Sequence, residues 1–156
     1  YTLSLHDALP ICALQTGMRR GEIFSLKWEN IDKQMSYIEL LETKSGKIRK
    51  IPISDKLKKV LDKSPRINEY VFNNELTHKP YIDIKKSFSS LIKLAEIKDF
   101  RFHDLRHTVA TRLVASGVDL VVVQEILGHS DIKTTMRYAH PVPERKKLAI
   151  NILNSY

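Results

Sequence analysis

Apolar residues four apart mark the clearest element of the chain. In "FHDLRHTVATRLVASG" Leu105, Val109 and Leu113 repeat at helical spacing, and Gly117 supplies a stop. "YIDIKKSFSSLIKLAEI" does the same with Ile84, Phe88, Leu91 and Ala95. The period changes in "MSYIELLETKSGKIRKIPIS", where Tyr37, Glu39 and Leu41 alternate with Ile38, Leu40 and Glu42. Ile51 and Ile53 alternate beyond "TKSG", so this stretch predicts a β-hairpin. Ser54 or Asp55 then caps a lysine-rich helix ending near Ser64 and Pro65, and "EYVFNN" reads as a short extended piece. "VDLVVVQEILGHS" is ambiguous, since three consecutive valines favour a strand; Asp119 as N-cap and Gly128 as terminator tip it to helix. "TGMRRGEIFSLKWENID" predicts a turn and a short helix burying Ile23, Leu26 and Ile31, "DIKTTMRYAH" another short helix, and "ERKKLAINIL" a last one. The fold class expected is mixed α+β, mostly helical with a small antiparallel sheet.

The opening "YTLSLHDALPIC" fits this pattern poorly. Pro10 inside a helix costs about 3 kcal/mol or more, and Thr2, Ser4 and Asp7 give no steady polar face. The stretch "YTLSLHDALPI" also resembles the in-frame translation of the end of a common sequencing adapter. Residues 1–11 are therefore expected to be a non-native, adapter-derived segment that fold reasoning sets aside, with residues 12–156 forming one domain.

Composition narrows the class. At 156 residues the chain can bury one substantial core. No apolar run approaches the ~20 residues of a membrane span, so no membrane association is expected. Cys12 is the single cysteine, which leaves no disulfide framework and fits a cytoplasmic setting. Net charge is +8, and +9 once Asp7, the one charged residue in positions 1–11, is set aside. Such a balance suggests a polyanionic partner, nucleic acid before membrane surface.

Candidate chemistry starts at "HDLRH". On a helix His103, Arg106 and His107 share one face. Histidines at i and i+4 suggest zinc, but Asp104 stands where a metalloprotease has Glu, Arg106 brings a fixed charge, and no third ligand follows. No metal or other cofactor is expected. Further on lie "LGHS", with His129 just past a glycine stop, and "YAH", with Tyr138; upstream, "TGMRRGE" presents Arg19 and Glu22.

With these four motifs in this order, the chain from Ala13 to about Leu153 resembles the catalytic domain of a tyrosine recombinase of the phage-integrase type. The resemblance implies a site-specific DNA recombinase that acts on double-stranded DNA without metal. Metal-free strand exchange needs a nucleophile that stores the bond, a clamp for phosphate charge and an acid for the leaving oxygen. Tyrosine serves the first task once activated from its ordinary pKa of about 10. Arginines serve the second, as planar forks that stay protonated.

By resemblance, Tyr138 is the nucleophile forming a 3′-phosphotyrosyl link, and Arg19 and Arg106 hold the non-bridging oxygens. His103 assists proton transfer at the tyrosine or phosphate, and His129 donates to the phosphate. Lys44, on the turn of "ETKSGK", protonates the 5′ oxygen in preference to Lys47. Lys47 and Arg101 remain as DNA contacts, Glu22 orients Arg19, and His107 supports the helix face. The C-terminal helix, with Leu148, Ile150 and Leu153, either docks on a second copy in a homo-oligomer on DNA or joins the core. The family's separate N-terminal DNA-binding domain has no counterpart here, so weak DNA binding and poor folding are expected. A non-catalytic helix-turn-helix protein, suggested by "ASGVDLVVVQEILGHSDIKTTMRY", and a type IB topoisomerase are the competing readings.

Overall fold

The computed structural model describes residues 5–41, 48–74, 77–139 and 143–155. Helix α1 (Leu5–Thr16) leads through a turn into α2 (Arg20–Phe24) and a single 3₁₀ turn at Trp28–Asn30. An antiparallel hairpin of β1 (Tyr37–Leu41) and β2 (Ile48–Pro52) follows, with Ile38 opposite Ile51 and Leu40 opposite Arg49. The rest is helical: α3 (Asp55–Lys63), α4 (Lys85–Leu94), α5 (Asp104–Ala115), α6 (Leu120–Leu127), α7 (Ile132–Met136) and α8 (Pro143–Ile152). The expected α+β class, with its small antiparallel sheet, is the one observed.

Local chemistry explains most boundaries. The Ser54 hydroxyl accepts from the Leu57 N–H at the start of α3, and the Asp119 carboxylate accepts from the Val121 N–H at the start of α6. Gly128 ends α6 in the left-handed region at φ 67°, which frees its N–H for the Gln124 carbonyl. The valine run of α6 stays helical because Val123 and Leu127 are buried against α5 while Val121 and Val122 face outward. The residues of "EYVFNN" contribute two isolated bridges, Lys27 with Tyr70 and Asn73 with Pro80.

The opening stretch departs from expectation. Helix α1 runs straight through Pro10 and carries Ala8, Leu9, Cys12 and Ala13 into the core against α3 and α5. These four positions lie on one helical face. Burying a leucine alone contributes about 1.5–3 kcal/mol, so the set offsets the ~3 kcal/mol proline penalty. Residues 5–11 therefore take part in the fold, and the core that follows is continuous. It joins Met18, Ile23 and Leu26 to Ile38 and Ile51 of the hairpin, Leu57 and Leu61 of α3, and Phe72. A smaller apolar cluster of Val109, Ala110, Val123 and Leu127 sits between α5 and α6, with Tyr138 packed against it. Among the described residues no helix is long and apolar enough to cross a membrane.

Candidate active site

Three arginines converge between the two clusters, and each spends a donor on a main-chain carbonyl. Gly17, at φ 65°, turns the chain sharply out of α1, and its carbonyl accepts from Arg106 Nη1 at 2.6 Å. Arg19, the extended residue before α2, donates from Nη2 to the Gly128 carbonyl at 2.6 Å. Arg49 of β2 donates from Nη1 to the Leu127 carbonyl at 2.8 Å. Two of these acceptors are carbonyls left over at the C-terminal end of α6, where positive charge is favoured.

Glu22 ties the group together. Its carboxylate accepts from the Arg19 N–H (2.7 Å) and Arg19 Nη1 (2.9 Å), and from Arg49 Nη2 (2.8 Å). Burial alone would raise the Glu22 pKa, but the Arg19 backbone bond and the Arg49 and Arg19 charges bring it below the ordinary value. Three guanidinium groups against one carboxylate leave the basin strongly positive. Burial, and then the charge of Arg19, push Arg106 down to about 10, so it remains charged at neutral pH. Arg19, Glu22, Arg49 and Gly128 line a cleft of about 620 Å³. A larger cleft of about 940 Å³, walled by Phe88, Phe100 and Phe102, reaches His103 and Arg101 but gathers few reactive groups.

The imidazoles and the tyrosine sit on the other side. His129 follows Gly128 directly, and its Nδ1 is 2.8 Å from Thr135 Oγ1. Desolvation, then the charges of Arg106, Arg19 and Arg49, push its pKa down to about 4, so the ring is neutral at pH 7. His103 precedes α5, and burial followed by the His107 and Arg106 charges lowers its pKa as well. The His103 ring lies edge-on to the His107 ring, centroids 4.8 Å apart. Tyr138 is held after α7 by its N–H bond to Thr135, and its hydroxyl lies 2.5 Å from His107 Nδ1.

The structure thus brings Arg19, Glu22, Arg106, His103, His107, His129 and Tyr138 into one region. Arg101 is exposed at the rim, with Nε 3.8 Å from Asp104 Oδ2. Lys44 and Lys47 lie outside the described residues. Among the described residues no group of three or more His, Cys, Asp or Glu side chains is placed to hold a metal ion. Arg49 was not foreseen, although it is buried. The signal was present: the alternation through Ile51 and Ile53 extends back to position 49, which the hairpin must point inward.

An internally braced anion basin with a tyrosine hydroxyl at its edge, on a helical scaffold with one hairpin, defines the fold of tyrosine recombinase catalytic domains. The phage integrase family model matches residues 3–145, and the chain belongs to that family. The integrase of Salmonella phage P22 is 35% identical over 146 residues, spanning 84% of this chain and 38% of that protein. Among solved structures, XerH site-specific recombinase bound to difH substrate superposes with a TM-score of 0.77 at 25% identity, covering 95% of this chain and 46% of that one. The catalytic domain of bacteriophage HP1 integrase gives 0.71 at 33% identity, covering 93% of this chain and 80% of that domain. The chain spans between about a third and a half of the length of the curated relatives it matches. These matches favour the recombinase over the helix-turn-helix regulator and the topoisomerase.

Proposed function

We propose that this chain is the catalytic unit of a site-specific DNA recombinase, cutting and rejoining double-stranded DNA through a covalent 3′-phosphotyrosyl intermediate. The observation that carries this reading is the Tyr138 hydroxyl beside a basin where Arg19 and Arg106 are aimed by main-chain carbonyls. In it, Tyr138 Oη attacks the scissile phosphorus and the 5′ oxygen departs. Arg19 and Arg106 take the non-bridging oxygens as the charge develops, a task for which one lost donor typically costs about 10²–10³ in rate. His129, neutral at pH 7, donates to the same phosphate, and His103 assists there. Lys44 supplies the proton to the leaving 5′ oxygen, while Lys47 and Arg101 contact the backbone. Glu22 orients Arg19. The reaction needs no cofactor, and the same reading takes the protein to be cytoplasmic.

Assembly belongs to the same reading. Leu148, Ile150, Ile152 and Leu153 are all exposed on and just after α8. Such an uncovered apolar run suits docking on a second copy bound to the same DNA. Residues 1–11 keep their assignment as adapter-derived sequence, and resequencing the source DNA without that adapter tests it.

The central test uses a random-sequence duplex library with nicks that let the product strand diffuse away. Wild-type chain should yield adducts that survive denaturation and enrich one sequence, and Tyr138→Phe should yield none. Lys44→Ala should lose cleavage on ordinary DNA and recover it on duplexes with a 5′-bridging sulfur, whose departure needs no acid. Adducts that persist in Tyr138→Phe would overturn the assignment.

A further inference from the structure

We infer that His107, not His103, is the group that takes the proton from Tyr138. The inference rests on the strand-cleavage reading above and assigns a reacting role to a side chain first read as structural support ahead of direct catalysis. Among the described residues Tyr138 Oη has His107 Nδ1 as its hydrogen-bond partner. The His103 imidazole has no hydrogen bond there and meets the His107 ring edge-on instead. Tyr138 is also fixed from behind by the cluster of Val109, Ala110, Val123 and Leu127. The contact therefore joins two anchored elements, the first turns of α5 and the exit of α7.

The proton has a way out. His107 is exposed and lines an open cleft of about 480 Å³ with Asp104 and Arg112. A proton accepted at Nδ1 can leave from Nε2 to water in that cleft. The charged and titratable groups around His107 are Asp104, Arg106 and Arg112 on its own helix, His103 just before it, His129 after α6, and Tyr138 after α7. A neutral imidazole with Nδ1 unprotonated is the form able to accept.

The step balances. Tyr138 gives its proton to His107 as the Oη–P bond forms, and the P–O5′ bond breaks with a proton delivered to O5′ from the acid. On rejoining, O5′ attacks as its proton returns to the acid, the Oη–P bond breaks, and His107 gives its Nδ1 proton to Tyr138 while Nε2 regains one from water.

The test takes the full chain and the duplex enriched in the selection above. His107→Asn keeps a polar atom near the Nδ1 position but accepts no proton. It should cleave about 10²–10⁴-fold more slowly and lose the acidic limb of the pH–rate profile, which His103→Asn should retain. Placing difluorotyrosine, a more acidic phenol, at position 138 should restore part of the rate to His107→Asn, an effect no loss of packing would produce. A rate within about threefold of wild type, or an acidic limb unchanged in His107→Asn, overturns the inference while adduct formation by wild type upholds the parent reading. Nitrogen-15 histidine spectra decide the point without DNA. Nδ1 of neutral His107 should be unprotonated and shift in Tyr138→Phe; an Nδ1–H donating to the tyrosine overturns the inference even if no adduct forms on any duplex.

Discussion

Replacing Arg49 by methionine removes a buried guanidinium while keeping an unbranched apolar stem in its place. Its 2.8 Å hydrogen bonds to the Leu127 carbonyl and to Glu22 Oε2 both disappear. The carbonyl, an acceptor at the end of α6, loses its donor at about 1–3 kcal/mol. Breaking a buried ion pair costs about 3–5 kcal/mol when the other charge is stranded. Glu22 is not stranded, since it keeps Arg19 and a quarter of its side chain is exposed. The lower end therefore applies, about 3 kcal/mol in total. For a domain of this size that lowers Tm by about 6–12 °C. Arg49→Lys keeps the charge but not the fork, and should lose about half as much.

The pH dependence gives a second readout. The Glu22 pKa is lowered on folding, so its contribution is fully present above the ordinary value of 4.5 and is lost as pH falls through the folded value. Wild type should therefore lose stability below about pH 4.5 more steeply than Arg49→Met. Circular dichroism melts at pH 7 and pH 4 measure both effects. A Tm within about 2 °C of wild type at pH 7, with an unchanged acid slope, would refute the reasoning.

Gly17→Ala puts a methyl 2.5 Å from Leu127 Cδ2 at a positive φ. Left-handed strain of about 1–2 kcal/mol adds to overpacking of about 1–3 kcal/mol, and Arg106 loses the aim of its carbonyl anchor. Urea denaturation should show the destabilisation, and adduct yield should fall further than the folded fraction does. Pro10→Ala should stabilise by about 1–3 kcal/mol, since proline is about 3 kcal/mol less favourable than alanine inside a helix; a lower urea midpoint would mean α1 does not pass through residue 10. His129 folds with its pKa depressed to about 4 from 6.5, so its contribution is complete above pH 6.5 and is lost as pH falls toward 4. Comparing stability of wild type and His129→Gln across that window should show a slope in wild type that the variant lacks.

The elements with local punctuation were legible in advance. Asp119 and Gly128 fixed α6 despite its valines, and Ser54 fixed α3, because a cap is a contact within four residues. Helix α1 was misread because the Pro10 penalty is local, whereas the burial of Leu9 and Cys12 that offsets it comes from α3 and α5, far along the chain. The side chains that the structure gathers at the candidate site were legible as a set, through motifs whose residue types suit phosphate chemistry. Their pairing was not. Whether His103 or His107 meets Tyr138 depends on how α7 exits against α5, and helical spacing puts both histidines on one face. Arg49 stood in a legible position, but an inward-pointing charge on a strand gains meaning only when Glu22 and the end of α6 are brought to it.

Arg19, Arg49 and Arg106 each rest on a peptide oxygen, those of Gly128, Leu127 and Gly17. A peptide oxygen does not titrate, and no substitution can delete it. The aim of the three guanidinium groups is thus inherited from the path of the backbone, and surface side chains around them are free to diverge. For an engineer this separates two problems. Exposed side chains around the cleft can be redrawn, provided the two glycines that bend the chain into the basin, Gly17 and Gly128, are left alone.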